Sequence, residues 1–188
     1  MSERVRCFIA IDIEDSSVVE KIVRIQEELS SCGVRLKLVE PENLHITLRF
    51  IGEIPKLIVE SIKESISNLK FEEFHVTFSG IGAFPQPERP RVIWAGVVEG
   101  GDKLFVLSKK VNDLLSKLKL PKEDKEFTPH LTIARVKSFP SSRLSQTIKR
   151  LSGVHIGAIT VNEVRLKKST LTPKGPKYST LLSVKAKT

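Results

Sequence analysis

Two stretches of the sequence resemble each other: Asn43-Leu-His-Ile-Thr-Leu-Arg49 and Thr128-Pro-His-Leu-Thr-Ile-Ala134. Each contains a His-x-Thr triplet within a predicted β-strand, and residues two apart in a strand point to the same face. Each triplet therefore places an imidazole beside a hydroxyl group. The two histidines lie 85 positions apart in a chain of 188 residues. This spacing indicates an internal duplication in which each half of the chain contributes one histidine.

The paired imidazole and hydroxyl groups suit chemistry at phosphorus. An imidazole titrates near neutral pH and can give or take a proton, and a threonine hydroxyl can donate a hydrogen bond to a phosphoryl oxygen. In-line displacement needs a base beside the attacking oxygen and an acid beside the leaving oxygen, on opposite sides of the phosphorus atom. Two histidines from opposed halves of the chain would supply this arrangement.

A third triplet, His75-Val-Thr77, has the same internal spacing but lacks a preceding proline loop. A single histidine in a strand is more often a structural residue than a catalyst. Strand parity alone does not exclude His75, so its role stays open on the residues alone.

The order of predicted elements favours an α+β fold with antiparallel sheets, because strands and helices alternate irregularly and several strands join through short turns. Hydrophobic periodicity predicts helices over residues 16–31, 55–69, 102–118 and 141–151. Strands are predicted over 4–13, 35–39, 44–51, 71–79, 91–98, 129–136, 156–169 and 178–184. Residues 80–90, rich in Gly and Pro, are predicted to form a loop.

Basic residues outnumber acidic residues by 31 to 22, a net charge of +9. Residues 1–94 sum to −3 and residues 95–188 to +12. This asymmetry predicts a polyanionic partner such as nucleic acid, with a solubilising basic surface as the alternative. If RNA binds, its phosphates are expected to cross the C-terminal strands and the turn at 172–177. The lysines expected to contact it are Lys167, Lys168, Lys174 and Lys177.

Composition excludes several classes of protein. No apolar run approaches the roughly 20 residues needed to span a bilayer, and no signal peptide is recognisable, which predicts a soluble cytoplasmic protein. Cys7 and Cys32 are too few for a disulfide scaffold or zinc ribbon, so two reduced thiols are expected, a disulfide between them being the minority alternative. Three Gln and four Asn among many charged residues are typical of thermophilic proteins.

At the paired triplets the sequence resembles the two-histidine phosphoesterases, in the branch of the RNA 2′,3′-cyclic phosphodiesterases, or 2′-5′ RNA ligases, of bacteria and archaea. The resemblance extends over nearly the whole chain. The segments that carry it are Arg6-Cys-Phe-Ile-Ala-Ile11, Pro41-Glu-Asn-Leu-His-Ile-Thr-Leu-Arg-Phe-Ile-Gly52, Gly82-Ala-Phe-Pro85, Arg89-Pro-Arg-Val-Ile-Trp94, Phe127-Thr-Pro-His-Leu-Thr-Ile-Ala-Arg135 and Gly175-Pro-Lys-Tyr178.

The resemblance implies one two-lobed domain over residues 1–188. Its two pseudo-symmetric lobes would each hold a small antiparallel sheet with helices outside and an active-site cleft between them. It implies hydrolysis of RNA 2′,3′-cyclic phosphate ends to 2′-phosphates, with reverse 2′-5′ ligation, by a monomer without metal or cofactor. The implied substrate is RNA with a cyclic end, tRNA halves included.

The resemblance also implies roles for individual residues. His45 would be the proton donor and His130 the proton acceptor, whereas His75 would have no role. Thr47 and Thr132 would contact the phosphate.

The family places an arginine after the second motif, here Arg135, as a further substrate contact. Strand parity disagrees with this role. Arg135 is five residues past His130, so a regular strand would turn its side chain away from the site unless the strand ends or bulges there. Arg49, four residues past His45, has the right parity but no role implied by the resemblance.

Two alternatives to this enzyme remain open from the sequence. A basic module that binds RNA ends or tRNA without turnover would also explain the charged second half. A cyclic phosphodiesterase acting on a small nucleotide would also use the histidine pair. The sequence has no Gly-x4-Gly-Lys-Ser/Thr loop and no His-Glu-x-x-His motif. The first absence argues against a nucleotide-driven ligase and the second against a zinc enzyme of that class.

Overall fold

Two antiparallel sheets and four α-helices make up the computed structural model in the part of the chain that it describes, residues 3–121, 123 and 125–187. The helices are α1 (Ser16–Ser30), α2 (Lys56–Ser67), α3 (Gly101–Leu115) and α4 (Ser142–Arg150). The strands are β1 (Arg4–Asp12), β2 (Leu36–Leu38), β3 (His45–Pro55), β4 (Phe74–Phe84), β5 (Val92–Glu99), β6 (His130–Val136), β7 (His155–Val161), β8 (Glu163–Thr172) and β9 (Gly175–Lys185).

The strand orders of the two sheets correspond. The first sheet runs β3-β1-β8-β9, and the second runs β2-β6-β5-β4-β7. In both, the strand that begins with a histidine (β3 or β6) pairs with the preceding long strand of its own half (β1 or β5). That strand then pairs with a strand from the other half (β8 or β4). The predicted α+β fold with two pseudo-symmetric lobes is confirmed, and β2 adds an extra edge strand to the second lobe.

The helices form where the sequence predicts them because each buries one apolar stripe. In α1 the buried residues include Val18, Ile22, Ile25 and Leu29, which recur at helical spacing. The amide of Val18 donates to the side chain of Asp15, which caps the helix in place of the predicted Ser16 or Ser17.

Two predictions about strands are wrong. The predicted strand over 156–169 is two strands, β7 and β8, interrupted at Asn162, because β7 pairs with β4 in one sheet and β8 with β1 in the other. The predicted loop over 80–90 begins only after Phe84, since β4 continues through Gly80. Gly80 has a φ of +79°, and a Cβ there would lie 2.3 Å from the carbonyl oxygen of Ser152, so the chain passes this irregular point only with glycine.

Both cysteines are free and buried in the core. Burial raises the pKa of the Cys7 thiol to about 11. Among the helices described, none has both the length and the apolar character needed to cross a membrane.

Candidate active site

A cavity of about 760 Å³ lies between the two sheets, and residues of both His-x-Thr triplets line it. Strand β3 contributes His45 and Thr47, and β6 contributes His130, Thr132 and Arg135. All five residues predicted from the sequence therefore lie around one cavity. The cavity is also lined by Arg6, Phe8, Lys37, Leu38, Val39, Glu40, Asn43, Phe50, Lys137, Ser169, Leu171, Lys174, Gly175, Pro176 and Tyr178.

The two imidazoles are held in the same way. Nδ1 of His45 donates to the carbonyl oxygen of Asn43 at 2.7 Å, and Nδ1 of His130 donates to that of Thr128 at 2.6 Å. In both cases the acceptor lies two residues before the histidine. Because Nδ1 carries this proton, Nε2 is the atom left for proton transfer in both rings.

Aromatic side chains pack against both histidines. The ring of His45 lies 4.9 Å from that of Phe8 and 5.4 Å from that of Tyr178, centroid to centroid. The ring of His130 lies 5.1 Å from that of Phe84 in an edge-on arrangement. These contacts restrict ring rotation, which holds each Nε2 in place.

A β-bulge brings Arg135 to the cavity. On the neighbouring strand β5, Trp94 pairs with Thr132 and Ile93 with Ala134, which leaves Ile133 as an extra residue. Ile133 and Ala134 are both fully buried, so two successive side chains face the core and the regular alternation of core-facing and cavity-facing side chains shifts by one residue. Arg135 therefore returns to the face of the strand that His130 and Thr132 occupy, and the predicted parity conflict is resolved by the bulge.

The first lobe has a bulge at the equivalent position. Ala10 pairs with Thr47 and Ile9 with Arg49, which leaves Leu48 as the extra residue. Here it is Phe50, five residues past the histidine, that lines the cavity. Arg49 does not line it.

A buried polar side chain supports each bulge from the helix behind it. On α1, Nε2 of Gln26 donates to the carbonyl oxygen of Ile133 at 2.8 Å. On α3, Oγ of Ser108 donates to the carbonyl oxygen of Leu48 at 2.9 Å. Gln26 and Ser108 are both 97% or more shielded from solvent. The carbonyl of Ile133 also accepts from the amide of Val39 at 2.9 Å, and Nε2 of Gln26 donates as well to the carbonyl of Val39 at 2.8 Å, so Gln26 links the bulge to the segment after β2.

The electrostatic surroundings of His45 lower its pKa. Burial is the largest cause of the lowering, and the positive charges of Lys167 and Arg135 lower the pKa further. The hydrogen bond to the carbonyl of Asn43 and the nearby Asp12 carboxylate raise the pKa and offset part of this effect. Asp12 lies opposite His45 on the neighbouring strand.

Asp12 is held by two cations. Its Oδ2 atom accepts from Nζ of Lys167 at 2.5 Å and from Nη1 of Arg165 at 2.7 Å. Opposite His130, the position equivalent to Asp12 is Gly96. The carboxylate and its cations therefore belong to the first lobe alone.

The third triplet lies outside the cavity. Nδ1 of His75 is 3.1 Å from Oγ1 of Thr160, and the hydroxyl of Thr77 donates to Glu99 on the solvent side of the sheet. His75 and Thr77 therefore form local contacts on the second sheet.

Cations dominate the wall of the cavity. Five basic side chains line it against one acidic residue, Glu40. The five are Arg6, Lys37, Arg135, Lys137 and Lys174.

The four lysines predicted to contact RNA lie in different surroundings. Lys174 lines the cavity, whereas Lys167 is 7% exposed and bonded to Asp12, so it cannot contact a ligand at the surface. Lys168 and Lys177 do not line the cavity. Sequence reasoning missed Arg6, Lys37 and Lys137, although Lys137 has the parity of Arg135.

No group of three or more His, Cys, Asp or Glu side chains in the described residues is arranged to hold a metal ion.

The family model of the LigT-like phosphoesterases matches the chain twice, over residues 11–94 and 96–178. Each match contains one of the two cavity triplets, as an internal duplication requires.

Relatives of known name match nearly the full length. An RNA 2′,3′-cyclic phosphodiesterase of Archaeoglobus fulgidus is 43% identical over 94% of this chain and 97% of its own. One of Aeropyrum pernix is 39% identical over 90% of this chain and 97% of its own.

Solved structures agree on the fold. Escherichia coli LigT complexed with 3′-AMP covers 99% of this chain with a TM-score of 0.81 at 21% identity, and all of that chain is covered. A Thermus thermophilus protein covers 96% of this chain and 97% of its own, with a TM-score of 0.69 at 30% identity. The doubled motif, the matched length and the fold together assign this chain to the LigT-like phosphoesterase family.

Proposed function

We propose that this protein hydrolyses the 2′,3′-cyclic phosphate at the end of an RNA to a 2′-phosphate. The observation that carries the proposal is the pair of histidines, one from each lobe, that line one cavity with Nδ1 engaged and Nε2 available. The name of the relatives, RNA 2′,3′-cyclic phosphodiesterase, at up to 43% identity, supports this substrate.

In the proposed reaction a water molecule attacks phosphorus while Nε2 of His130 accepts one of its protons. The bond from phosphorus to the 3′ oxygen breaks, and Nε2 of His45 gives that oxygen a proton. The product is a 2′-phosphate with a free 3′ hydroxyl group. Thr47, Thr132 and Arg135 hold the non-bridging oxygens as their negative charge shifts.

The donor role of His45 comes from the family resemblance, because the local geometry of the two histidines is nearly the same. The lowered pKa of His45 favours its neutral form in the free protein. A bound phosphate anion favours the imidazolium form, since an opposite charge nearby raises the pKa of a histidine. We propose that substrate binding protonates His45 for its donor role.

The same groups can also serve 2′-5′ ligation. A 5′ hydroxyl group that attacks phosphorus in place of water would displace the same 3′ oxygen and yield a 2′-5′ linkage with a free 3′ hydroxyl group, without nucleotide energy. We also propose that residues 1–188 act as one two-lobed domain, because strands of each half complete the sheet of the other. A monomeric state, a cytoplasmic location and tRNA halves as substrates stay predictions.

Single-turnover hydrolysis of an oligonucleotide ending in a 2′,3′-cyclic phosphate tests the proposal. His45→Ala and His130→Ala should each lose about 10²- to 10⁴-fold in rate, and His75→Ala, the matched control outside the cavity, should retain it. Excess EDTA should leave the rate unchanged. Near-native hydrolysis by either cavity variant would rule out the paired mechanism, and a protein that binds this RNA without turnover would support the binding-module alternative.

A further inference from the structure

We infer that the cavity contains a second phosphate subsite, formed by Lys37, Lys137 and Lys174, for the phosphate on the 5′ side of the terminal nucleotide. The inference rests on the proposed function, in which the cyclic phosphate lies between the histidines. It goes further by assigning the protein a preference for substrates that carry a second phosphate.

Two of the lysines lie on one face of the second sheet, next to the predicted phosphate contact. Lys37 on β2 is the cross-strand partner of Arg135 on β6, so their side chains share a face. Lys137 follows Arg135 by two residues and returns to the same side. A row of cations therefore leads away from Thr132 along the edge of the sheet.

The third lysine comes from the opposite lobe. Lys174 lies in the turn between β8 and β9, beside Gly175. A Cβ atom at Gly175 would lie 3.6 Å from Nζ of Lys37, so the ammonium group of Lys37 already reaches this turn. Nδ2 of Asn43 also donates to the carbonyl oxygen of Pro176 at 3.3 Å, which ties the turn to the cavity.

Among the described residues, none of the three ammonium groups has a carboxylate within salt-bridge distance, a property that they share with Arg6 and Arg135 on the same cavity wall. Arg49, Arg165 and Lys167 all have such partners. Like charges placed together without a counter-charge repel one another. An anion between them would relieve this repulsion, and the cavity wall offers only Glu40 as an acidic group.

The chemistry identifies the anion as a phosphate group of the substrate itself. A cyclic mononucleotide has only the phosphate that reacts, so it leaves this row of lysines empty. RNA carries the next phosphate on the 5′ oxygen of the terminal nucleotide, and a small nucleotide with a 5′-phosphate or pyrophosphate carries the same group. RNA and the small nucleotide would both present a phosphate to the lysines. They differ in whether a further nucleotide is attached to that phosphate.

The experiment compares kcat/KM for three substrates: a 2′,3′-cyclic mononucleotide, its 5′-phosphorylated form, and a dinucleotide with a cyclic end. The variant combines Lys37→Gln, Lys137→Gln and Lys174→Gln. Its control combines Lys109→Gln, Lys117→Gln and Lys119→Gln, which removes the same charge from exposed positions that do not line the cavity.

In the wild-type protein, the substrates with a second phosphate should exceed the cyclic mononucleotide in kcat/KM by about tenfold or more, as expected for charge-assisted hydrogen bonds. In the cavity variant, kcat/KM should be about the same for substrates with and without the second phosphate. The control variant should keep the wild-type ratio of the two kcat/KM values. The slope of log(kcat/KM) against log salt for the dinucleotide should flatten by about 0.7 for one phosphate on a single strand. Equal rates for the 5′-phosphorylated mononucleotide and the dinucleotide would identify the phosphate alone as the recognised group, and a faster dinucleotide would identify RNA.

An unchanged ratio and slope in the cavity variant would overturn the subsite while leaving the proposed function intact. An equal loss of the ratio in the control variant would also overturn it, because that result is a general charge effect. Failure of the wild-type protein to hydrolyse any of the three substrates would instead reject the proposed function. Binding of the product dinucleotide ending in a 2′-phosphate, measured by calorimetry, then still tests the subsite, since only the cavity variant should bind it more weakly.

Discussion

The two histidine strands share their backbone frame and differ in the side chains around it. In both lobes the histidine Nδ1 atom donates to the carbonyl two residues upstream, and a bulge follows the threonine. Asp12 faces His45 where Gly96 faces His130, and Phe50 occupies the position equivalent to Arg135. The duplication thus preserved the geometry that aims the two rings, while substitutions at equivalent positions gave the lobes different charges.

We infer from this difference that the two lobes have separate tasks. The first lobe places two aromatic rings and an ion cluster around His45, whose pKa is lowered mainly by burial. The second lobe places Arg135, Lys37 and Lys137 along the cavity wall, which suits it to hold phosphate. Comparison of matched variants in the two lobes tests this division.

The largest expected effect comes from removing both histidines together. Because the acid and the base act in one transition state, the double variant His45→Ala/His130→Ala should lose little more than either single variant, about 10²- to 10⁴-fold in single-turnover rate. Losses that multiply fully would contradict concerted action of the two lobes.

A smaller effect is expected at the two arginines. Arg135→Met should reduce kcat/KM by about 10- to 100-fold, the value of hydrogen bonds to a charged phosphate. Arg49→Met should leave kcat/KM near the wild-type value but lower the melting temperature, because Arg49 bonds Glu123 and the carbonyl of Pro121 away from the cavity. Reversed results for kcat/KM would show that the bulge does not place Arg135 as described.

The buried side chains behind the bulges should affect stability in both lobes and substrate binding in one. Gln26→Leu and Ser108→Ala should each cost about 1–3 kcal/mol in free energy of unfolding, because the first removes the hydrogen bonds to the carbonyls of Val39 and Ile133 and the second removes that to the carbonyl of Leu48. Only Gln26→Leu should also raise KM, since it supports the bulge before Arg135. Chemical denaturation and steady-state kinetics measure the two quantities. If KM does not rise in Gln26→Leu, that bulge does not depend on the glutamine.

The smallest effects concern the pKa of His45, which lies below its ordinary value of 6.5 in the free protein. Asp12→Asn should lower it further, because the substitution removes a negative charge and leaves the Lys167 cation uncompensated. Lys167→Met should raise it. NMR titration of the imidazole nitrogens measures both shifts. If His45 is the donor, the alkaline limb of kcat/KM moves in the same direction as the pKa, to lower pH in Asp12→Asn.

Strand parity and the repeated triplet are local signals that predicted candidate histidines and threonines, and the family resemblance then excluded His75. The sequence could not predict that Arg135 reaches the cavity, since the bulge depends on the pairing of β6 with β5 and on the distant Gln26. The division of 156–169 into two strands escaped prediction for a similar reason. Both segments are apolar enough for a strand, and only their partners in different sheets separate them. Lys37 and Lys137 were missed because charge alone does not indicate which face of a sheet a lysine occupies.

The central claim, that histidines from opposite lobes act as acid and base, is tested most directly with a modified leaving group. In a cyclic substrate whose bridging 3′ oxygen is replaced by sulfur, the leaving thiolate needs little protonation because a thiol is far more acidic than an alcohol. Single-turnover rates should therefore show His45→Ala recovering about a hundredfold or more on the sulfur substrate relative to the oxygen substrate, whereas His130→Ala stays slow on both. Equal deficits for His45→Ala on the two substrates would contradict its role as the acid, and recovery confined to His130→Ala would reverse the two roles.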